Sequence, residues 1–202
     1  MSRVVTLDLH APAVQGFLDI PVDHLLAAPL FVQQFKQMGL QRPVVVSPDA
    51  GGVARADAVR ARLDSAGLAI VFKNRTSPGR VEHLEVVRDV TYCDAILVDD
   101  LISTGNTLVE ATRQLPERGA RAVYACAIHP VFAPGALPTL SASPLKRVLV
   151  SDSIPTATPS RVQECRWWRP HRSLRRPCGA STTTSRSARC SRDRPGRPGG
   201  AG

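Results

Sequence analysis

One stretch of the chain indicates its architecture: Ala95-Ile-Leu-Val-Asp99-Asp100-Leu-Ile-Ser103-Thr104-Gly105-Asn106-Thr107. Its apolar start, bounded by polar residues, predicts a buried strand. The small, hydroxyl-rich turn after the two carboxylates predicts the start of a helix. A strand that leads directly into a helix is typical of a parallel sheet covered by helices.

On both sides of this stretch, short apolar runs alternate with helical patterns along residues 1–155, so we predict an α/β fold with a mostly parallel sheet flanked by helices. Predicted strands are Val4–Leu7, Val44–Val46, Leu68–Phe72, Ala95–Val98, Ala122–Ile128 and Val148–Val150. Predicted helices are about 29–38, 53–65 and 107–118. In the second helix we expect Arg55 to point largely outward, and in the third we expect Pro116 to distort the last turn.

The turn after the central strand suits a sugar phosphate. Backbone N–H groups at a helix start can hold a phosphate dianion, and the hydroxyls of Thr104 and Thr107 can add donors. Gly105 permits close approach of the backbone. Asp99 and Asp100 can accept hydrogen bonds from ribose hydroxyls or face a divalent cation. A bare Asp-Asp pair more often just ends a strand, but the residues on both sides favour ribose 5-phosphate.

The formal charge of +9 invites a nucleic-acid interpretation, but the charge is concentrated in the last part of the chain. Residues 1–155 carry 15 basic and 15 acidic side chains, whereas 156–202 carry 11 Arg. Since 32 of those 47 residues are Arg, Pro, Gly, Ser or Thr, we predict a disordered basic tail. The abrupt change of composition suggests a frameshift after about residue 155, and we do not expect evolved nucleic-acid binding.

Other bulk features exclude further classes of protein. No apolar run approaches the ~18 residues of a membrane span, and the first 20 residues lack the plan of a signal peptide, so we expect a cytoplasmic protein without membrane association. Five cysteines without a CxxC pair argue against structural zinc and a disulfide framework.

The stretch around Asp99 resembles the phosphoribosyl-diphosphate loop of type I phosphoribosyltransferases and of ribose-phosphate diphosphokinases. Three further motifs resemble the diphosphokinases alone. They are Thr6-Leu-Asp8-Leu-His10-Ala-Pro-Ala-Val-Gln15-Gly16-Phe17-Leu-Asp19-Ile-Pro21-Val-Asp23, Val46-Ser47-Pro48-Asp49-Ala50-Gly51-Gly52 and Phe72-Lys73-Asn74-Arg75. The resemblance covers about residues 3–155 and implies a type I phosphoribosyltransferase-like domain.

The resemblance also implies a reaction and roles for its residues. Such enzymes transfer the diphosphoryl group of Mg-ATP to the 1-hydroxyl of ribose 5-phosphate, giving 5-phosphoribosyl 1-diphosphate and AMP. His10 and Asp49 would help to hold the Mg²⁺, and Lys73 and Arg75 would be catalytic residues on a mobile loop that runs to about Val81. Ribose 5-phosphate would be bound by Arg75, Asp99, Asp100, Ser103, Thr104, Gly105, Asn106 and Thr107.

The chain departs from the family pattern at both ends. Residues 1–40 resemble a remnant of an N-terminal phosphoribosyltransferase-like domain, 41–155 a C-terminal one, and 156–202 neither. Ser103 stands where many relatives have an acidic residue, and Asn106 where Gly is common. The resemblance implies a homo-oligomer in the intact family, and a partial chain leaves two alternatives open: a non-catalytic phosphoribosyl-binding or regulatory module, and a type I phosphoribosyltransferase.

Overall fold

The computed structural model describes residues 3–64, 66–77, 80–155 and 165–168, with backbone alone for 72–77, 80–87 and 165–168. The strands are β1 Val4–Leu7, β2 Val22–Leu25, β3 Val44–Ser47, β4 Gly67–Ser77, β5 Arg80–Val87, β6 Asp94–Ile102, β7 Ala122–Pro130, β8 Arg147–Ser151 and β9 Cys165–Trp168. The α-helices are α1 Ala28–Gln37, α2 Val53–Arg60, α3 Asn106–Glu117 and α4 Ala136–Ser141, and Pro12–Phe17 forms a 3₁₀ helix.

The main sheet has seven strands in the order β5-β4-β3-β6-β7-β8-β9. Every neighbouring pair is parallel except β4 and β5, which form an antiparallel hairpin. β3 and β6 lie side by side in the middle, with Val44 opposite Ala95 and Val46 opposite Leu97. Because the two strands are parallel, their carboxyl ends meet at one edge of the sheet. The prediction of a mostly parallel sheet flanked by helices is confirmed.

Both faces of the sheet are buried, which explains why its strands read as continuous apolar runs. On one face Leu97 of β6 belongs to a core cluster with Leu108 and Leu115 of α3. On the other face Ile96 packs in a cluster that contains Phe31 of α1 and Val59 of α2. Neighbouring residues of one strand point to opposite faces, so β6 holds the two core layers together.

The predicted elements are present, with differences at their ends. β6 continues to Ile102 instead of ending at Val98, because β7 keeps pairing with it as far as Ile102 opposite Pro130. α2 ends at Arg60, short of the predicted end at Ser65, which itself lies outside the described residues. Pro116 lies inside α3, which ends one residue later, and Gly119 follows with a φ of 85°.

The sequence analysis did not predict β2, β5, β9 or α4. β9 falls within the segment 156–202 that was predicted to be disordered, and it pairs in parallel with β8, with Val148 opposite Cys165. The prediction of disorder therefore has an exception at Cys165–Trp168. The other residues of 156–202 lie outside the described part of the chain.

The first residues form a separate two-stranded parallel sheet, in which Val4 of β1 lies opposite Val22 of β2. The 3₁₀ helix between these strands has no buried residue. Its Phe17 is 86% exposed, and other apolar side chains of this segment are also exposed: Val5, Val14, Leu18 and Leu26. Among the described residues, no helix combines the length and the apolar character that crossing a membrane requires.

Candidate functional site

A pocket of about 290 Å³ opens at the carboxyl ends of β3 and β6. It collects most of the residues that the sequence singled out, although they come from distant parts of the chain. The predicted residues that line it are His10, Asp49, Asp99, Asp100, Ser103, Thr104, Gly105 and Thr107. Crevices at the carboxyl ends of parallel strands are the usual ligand sites of open α/β sheets.

The turn between β6 and α3 forms one wall of this pocket. Gly105 is the N-cap of α3 with a φ of 80°, and the first helical hydrogen bond runs from the N–H of Val109 to the carbonyl of Gly105. The N–H groups of the first helical turn have no partner within the helix, and this end of the helix carries partial positive charge. Ile102 and Ser103 hold the turn in place by accepting backbone hydrogen bonds from the segment after β7. The turn therefore offers backbone donors to an anion.

The two carboxylates have different surroundings. Asp100 is 5% exposed, and its Oδ1 accepts the N–H of Leu101 at 2.8 Å. Its Oδ2 lies in hydrogen-bond contact with Nδ1 of His10 and 3.3 Å from Nη2 of Arg55. Asp99 is more exposed and accepts the N–H of Asp100 on its Oδ1 at 2.9 Å. Both lie within β6 rather than in the loop that the sequence predicted after it.

These surroundings shift the pKa values of the two carboxyls in opposite directions. Burial, reinforced by the hydrogen bond and negative charge of Asp100, raises the pKa of the Asp99 carboxyl to about 7. Burial also acts to raise the pKa of Asp100, but the hydrogen bond from His10 and the charge of Arg55 outweigh it and hold that pKa below its usual range. Asp100 is therefore ionised near neutral pH, whereas the Asp99 carboxyl gains and loses its proton in that same pH range.

Arg55 is a site residue that the sequence analysis placed wrongly. It was expected to point outward, yet its side chain is only 15% exposed and reaches Asp100 across the gap between α2 and β6. The spacing holds a signal for this: Arg55 lies four residues before Val59, which is 1% exposed, and residues four apart share a helix face.

His10 joins the pocket from the amino-terminal segment. Because the ionised Asp100 accepts at Oδ2, the hydrogen of a neutral His10 lies on Nδ1, and Nε2 keeps a lone pair. A carboxylate that orients an imidazole in this way is a common arrangement behind a metal-binding histidine. The His10 side chain is 84% exposed, so this nitrogen is accessible.

Asp49 approaches the pocket from the end of β3. Its Oδ1 accepts the N–H of Gly52 at 2.8 Å, which closes the turn into α2. Among the described residues, no group of three or more His, Cys, Asp or Glu side chains is arranged to hold a metal ion. Mg²⁺ commonly uses one or two carboxylates, together with water and substrate phosphates. Of the predicted metal residues, Asp49 is such a carboxylate and lines the same pocket as Asp99, whereas His10 offers an imidazole nitrogen. Their role in holding Mg²⁺ stays a prediction.

The predicted loop of Lys73 and Arg75 has a different backbone from the one expected. Both residues lie in β4, which continues to Ser77 and pairs with β5, with Lys73 opposite Leu84 and Arg75 opposite Val81. The prediction of a loop is wrong here, because the antiparallel ladder extends β4 beyond its last pairing with β3 at Ile70. The side chains of both residues lie outside the described part of the structure.

A second, mainly apolar cavity of about 250 Å³ adjoins the first and shares His10 with it. Arg55 lines this second cavity, whereas its partner Asp100 lines the first. Asp8 also lines it. Its carboxylate accepts the N–H of Ala27 at 2.5 Å, and burial raises its pKa.

Comparison with known proteins shows which family this chain is similar to. Residues 74–166 match the family model of the phosphoribosyl synthetase-associated domain. A ribose-phosphate pyrophosphokinase from Gloeobacter violaceus is 44% identical over 166 residues, and one from Bacillus caldolyticus is 46% identical over 153 residues. The chain belongs to the ribose-phosphate pyrophosphokinase family.

Members of the ribose-phosphate pyrophosphokinase family are longer than the part matched here. The alignments cover 82% and 76% of this chain but 50% and 48% of the two relatives, so the chain spans about half the length of the curated relatives it matches. A solved structure of phosphoribosylpyrophosphate synthetase from Mycobacterium smegmatis superposes with a TM-score of 0.76 at 33% identity, covering 83% of this chain and 54% of that one.

Proposed function

We propose that this chain carries the ribose 5-phosphate site of a ribose-phosphate diphosphokinase. The reaction transfers the diphosphoryl group of Mg-ATP to the 1-hydroxyl of ribose 5-phosphate. The proposal includes ATP as the second substrate and assembly of the chain into homo-oligomers. The observation that carries it is a pocket that combines the amino end of α3 with two adjacent carboxylates. One end suits a phosphate dianion, and the other suits the hydroxyls of a sugar.

In this proposal the 5-phosphate lies against the turn at Ser103–Thr107, where backbone N–H groups and the hydroxyls of Thr104 and Thr107 donate to it. The carboxylate of Asp99 accepts hydrogen bonds from the ribose hydroxyls. Gly105 allows the backbone to turn into α3 in the left-handed conformation, which places the first N–H groups of the helix at the pocket. These contacts fix the sugar and thereby orient its 1-hydroxyl.

The transfer forms a bond between the 1-oxygen of ribose and the β-phosphorus of ATP, and it breaks the bond between that phosphorus and the oxygen that leaves with AMP. The 1-hydroxyl releases its proton to water, and negative charge grows on the transferred group and on the oxygen that leaves with AMP. His10 and Asp49 would hold the Mg²⁺ of the nucleotide, which supplies positive charge when bound. Lys73 and Arg75 supply further positive charge in this proposal, so the chain contributes mainly alignment and electrostatic stabilisation.

Titration calorimetry with ribose 5-phosphate in the presence of Mg²⁺ tests the proposed site. We expect binding of ribose 5-phosphate and none of unphosphorylated ribose. Since hydroxyl donors to a charged phosphate are each worth roughly 1.5–3 kcal/mol, Thr104→Val and Thr107→Val should each weaken binding about tenfold or more. Thr139→Val is the matched control, because the Thr139 hydroxyl donates within α4 to the carbonyl of Gly135, away from the pocket. Equal affinity for ribose and its phosphate would contradict the proposal.

A second candidate is a phosphoribosyl-binding module without catalysis. It uses the same pocket, because binding ribose 5-phosphate requires the turn at Ser103–Thr107 and Asp99 but no transfer step. An assay for AMP formation from Mg-ATP and ribose 5-phosphate separates the two. AMP production that disappears in Lys73→Ala supports the enzyme, whereas ribose 5-phosphate binding without AMP production supports the module.

A further inference from the structure

We propose that Arg55 is a positioning residue of the ribose-phosphate pocket, which holds the Asp100 carboxylate, and through it the His10 imidazole, in place. The inference rests on the proposed function, since it concerns how the same pocket keeps its shape. The two adjacent carboxylates then have different roles: Asp99 contacts the sugar, whereas Asp100 holds Arg55 and His10 in position.

The first argument is the burial of the ion pair. The side chains of Arg55 and Asp100 are 15% and 7% exposed, and their Nη2 and Oδ2 atoms are 3.3 Å apart. A buried carboxylate that loses its cationic partner is left as an uncompensated charge in a poorly solvated place, which is strongly unfavourable. The pair also joins two separate elements, α2 and β6, and so helps to fix α2 against the strand whose end lines the pocket.

The second argument is the number of protein groups that already surround Asp100. Oδ1 accepts the N–H of Leu101, and Oδ2 lies between Arg55 and His10. Three groups around one carboxylate leave it little freedom to turn toward a ligand. Asp99 lines the same pocket and is more exposed than Asp100, so it is the better placed of the two to accept the ribose hydroxyls.

The third argument is the location of the pair between two cavities. Arg55 lines the apolar cavity beside Asp8, and Asp100 lines the polar pocket, with His10 at the border of both. The ion pair thus connects a residue of the apolar cavity to a residue of the polar pocket. Loss of the guanidinium would free the Asp100 carboxylate and, with it, the His10 imidazole that it contacts.

A double-mutant cycle tests this role. Arg55→Met keeps most of the apolar stem and removes the charge, and Asp100→Asn keeps the shape of its partner. The Kd for ribose 5-phosphate in Mg²⁺ is measured by calorimetry for the full chain, both single variants and the double variant. We expect Arg55→Met to weaken binding about tenfold in the wild-type background and less than about twofold in the Asp100→Asn background, because contacting residues are not additive. Arg55→Lys should recover part of the loss.

Arg60→Met is the control on the same helix. Arg60 pairs with Asp57 within α2 and is 38% exposed, so its loss should leave the Kd unchanged. If Arg55→Met does not fold, Arg55→Lys replaces it in the double-mutant cycle, and the expected fold-change in Kd is smaller. The same loss of affinity in both Asp100 backgrounds, or no loss at all, would overturn the positioning role. Wild-type protein that fails to bind ribose 5-phosphate would overturn the proposed function instead.

Discussion

Replacing Gly105 by alanine perturbs the turn that opens α3, and the structure sets the size of the effect. Gly105 has a φ of 80°, a left-handed conformation that costs a residue with a Cβ roughly 1–2 kcal/mol. The new Cβ would also lie 3.1 Å from Cγ and 3.2 Å from Cδ2 of Leu140, which is 3% exposed. Crowding of this kind in a packed core adds about 1 kcal/mol. We therefore expect Gly105→Ala to lower the free energy of unfolding by about 2–3 kcal/mol in urea titrations.

The chain contains a closely matched control for this experiment. Gly135 is the N-cap of α4 with a φ of 86°, and no atom lies within 4 Å of the position of an added Cβ. Gly135→Ala should therefore show the backbone strain alone, roughly 1–2 kcal/mol. In the double variant Gly105→Ala with Leu140→Ala, the crowding is relieved, so its destabilisation should be smaller than the sum of the single changes. Equal losses for Gly105→Ala and Gly135→Ala would refute the argument from crowding against Leu140.

Two more predictions concern the pair of carboxylates and the core. The folded pKa of Asp99, about 7, lies above its unfolded value, so its contribution to stability is complete at low pH and is lost as the pH rises through about 7. Urea titrations of wild type and Asp99→Asn between about pH 4 and 7 should show a steeper fall for wild type, and parallel curves over that range would contradict the raised pKa. Leu115→Ala removes a fully buried side chain of α3 and should cost about 3 kcal/mol, whereas Leu101→Ala, at a 40% exposed position, should cost less than about 1 kcal/mol. Similar losses for these two leucines would show that α3 is not packed on the sheet as described.

Local patterns were sufficient where burial and backbone preference agree. The run Ala95–Val98 reads as a strand because both of its faces are buried, and Gly39 follows α1 with a φ of 63°, as expected for a helix stop. The end of β6 was misjudged because adjacent carboxylates commonly terminate strands. Here pairing with β7, as at Leu101 opposite His129, continues the strand through them.

The hairpin of β4 and β5 was also missed because local sequence does not show which strands pair. A loop from Lys73 to about Val81 was expected because the family resemblance implies one and because Ser77, Pro78 and Gly79 are typical of loops. The antiparallel ladder between β4 and β5 supplies backbone hydrogen bonds that this local composition did not reveal. Propensity for strands depends on the neighbouring strand, so it is a weak guide at such positions.

The sequence by itself determined the class of fold, the strand-turn-helix around Asp99 and the set of residues around which a ribose-phosphate site could form. These features are local, since they follow from apolar runs, turn residues and spacing along the chain. Only the tertiary structure decided that His10 meets Asp100 across 90 residues, that Arg55 turns inward, and that Asp99 and Asp100 differ in acidity. The physical reason is that burial, charge and hydrogen bonding at a side chain depend on what the fold places beside it, which residues close in sequence do not specify.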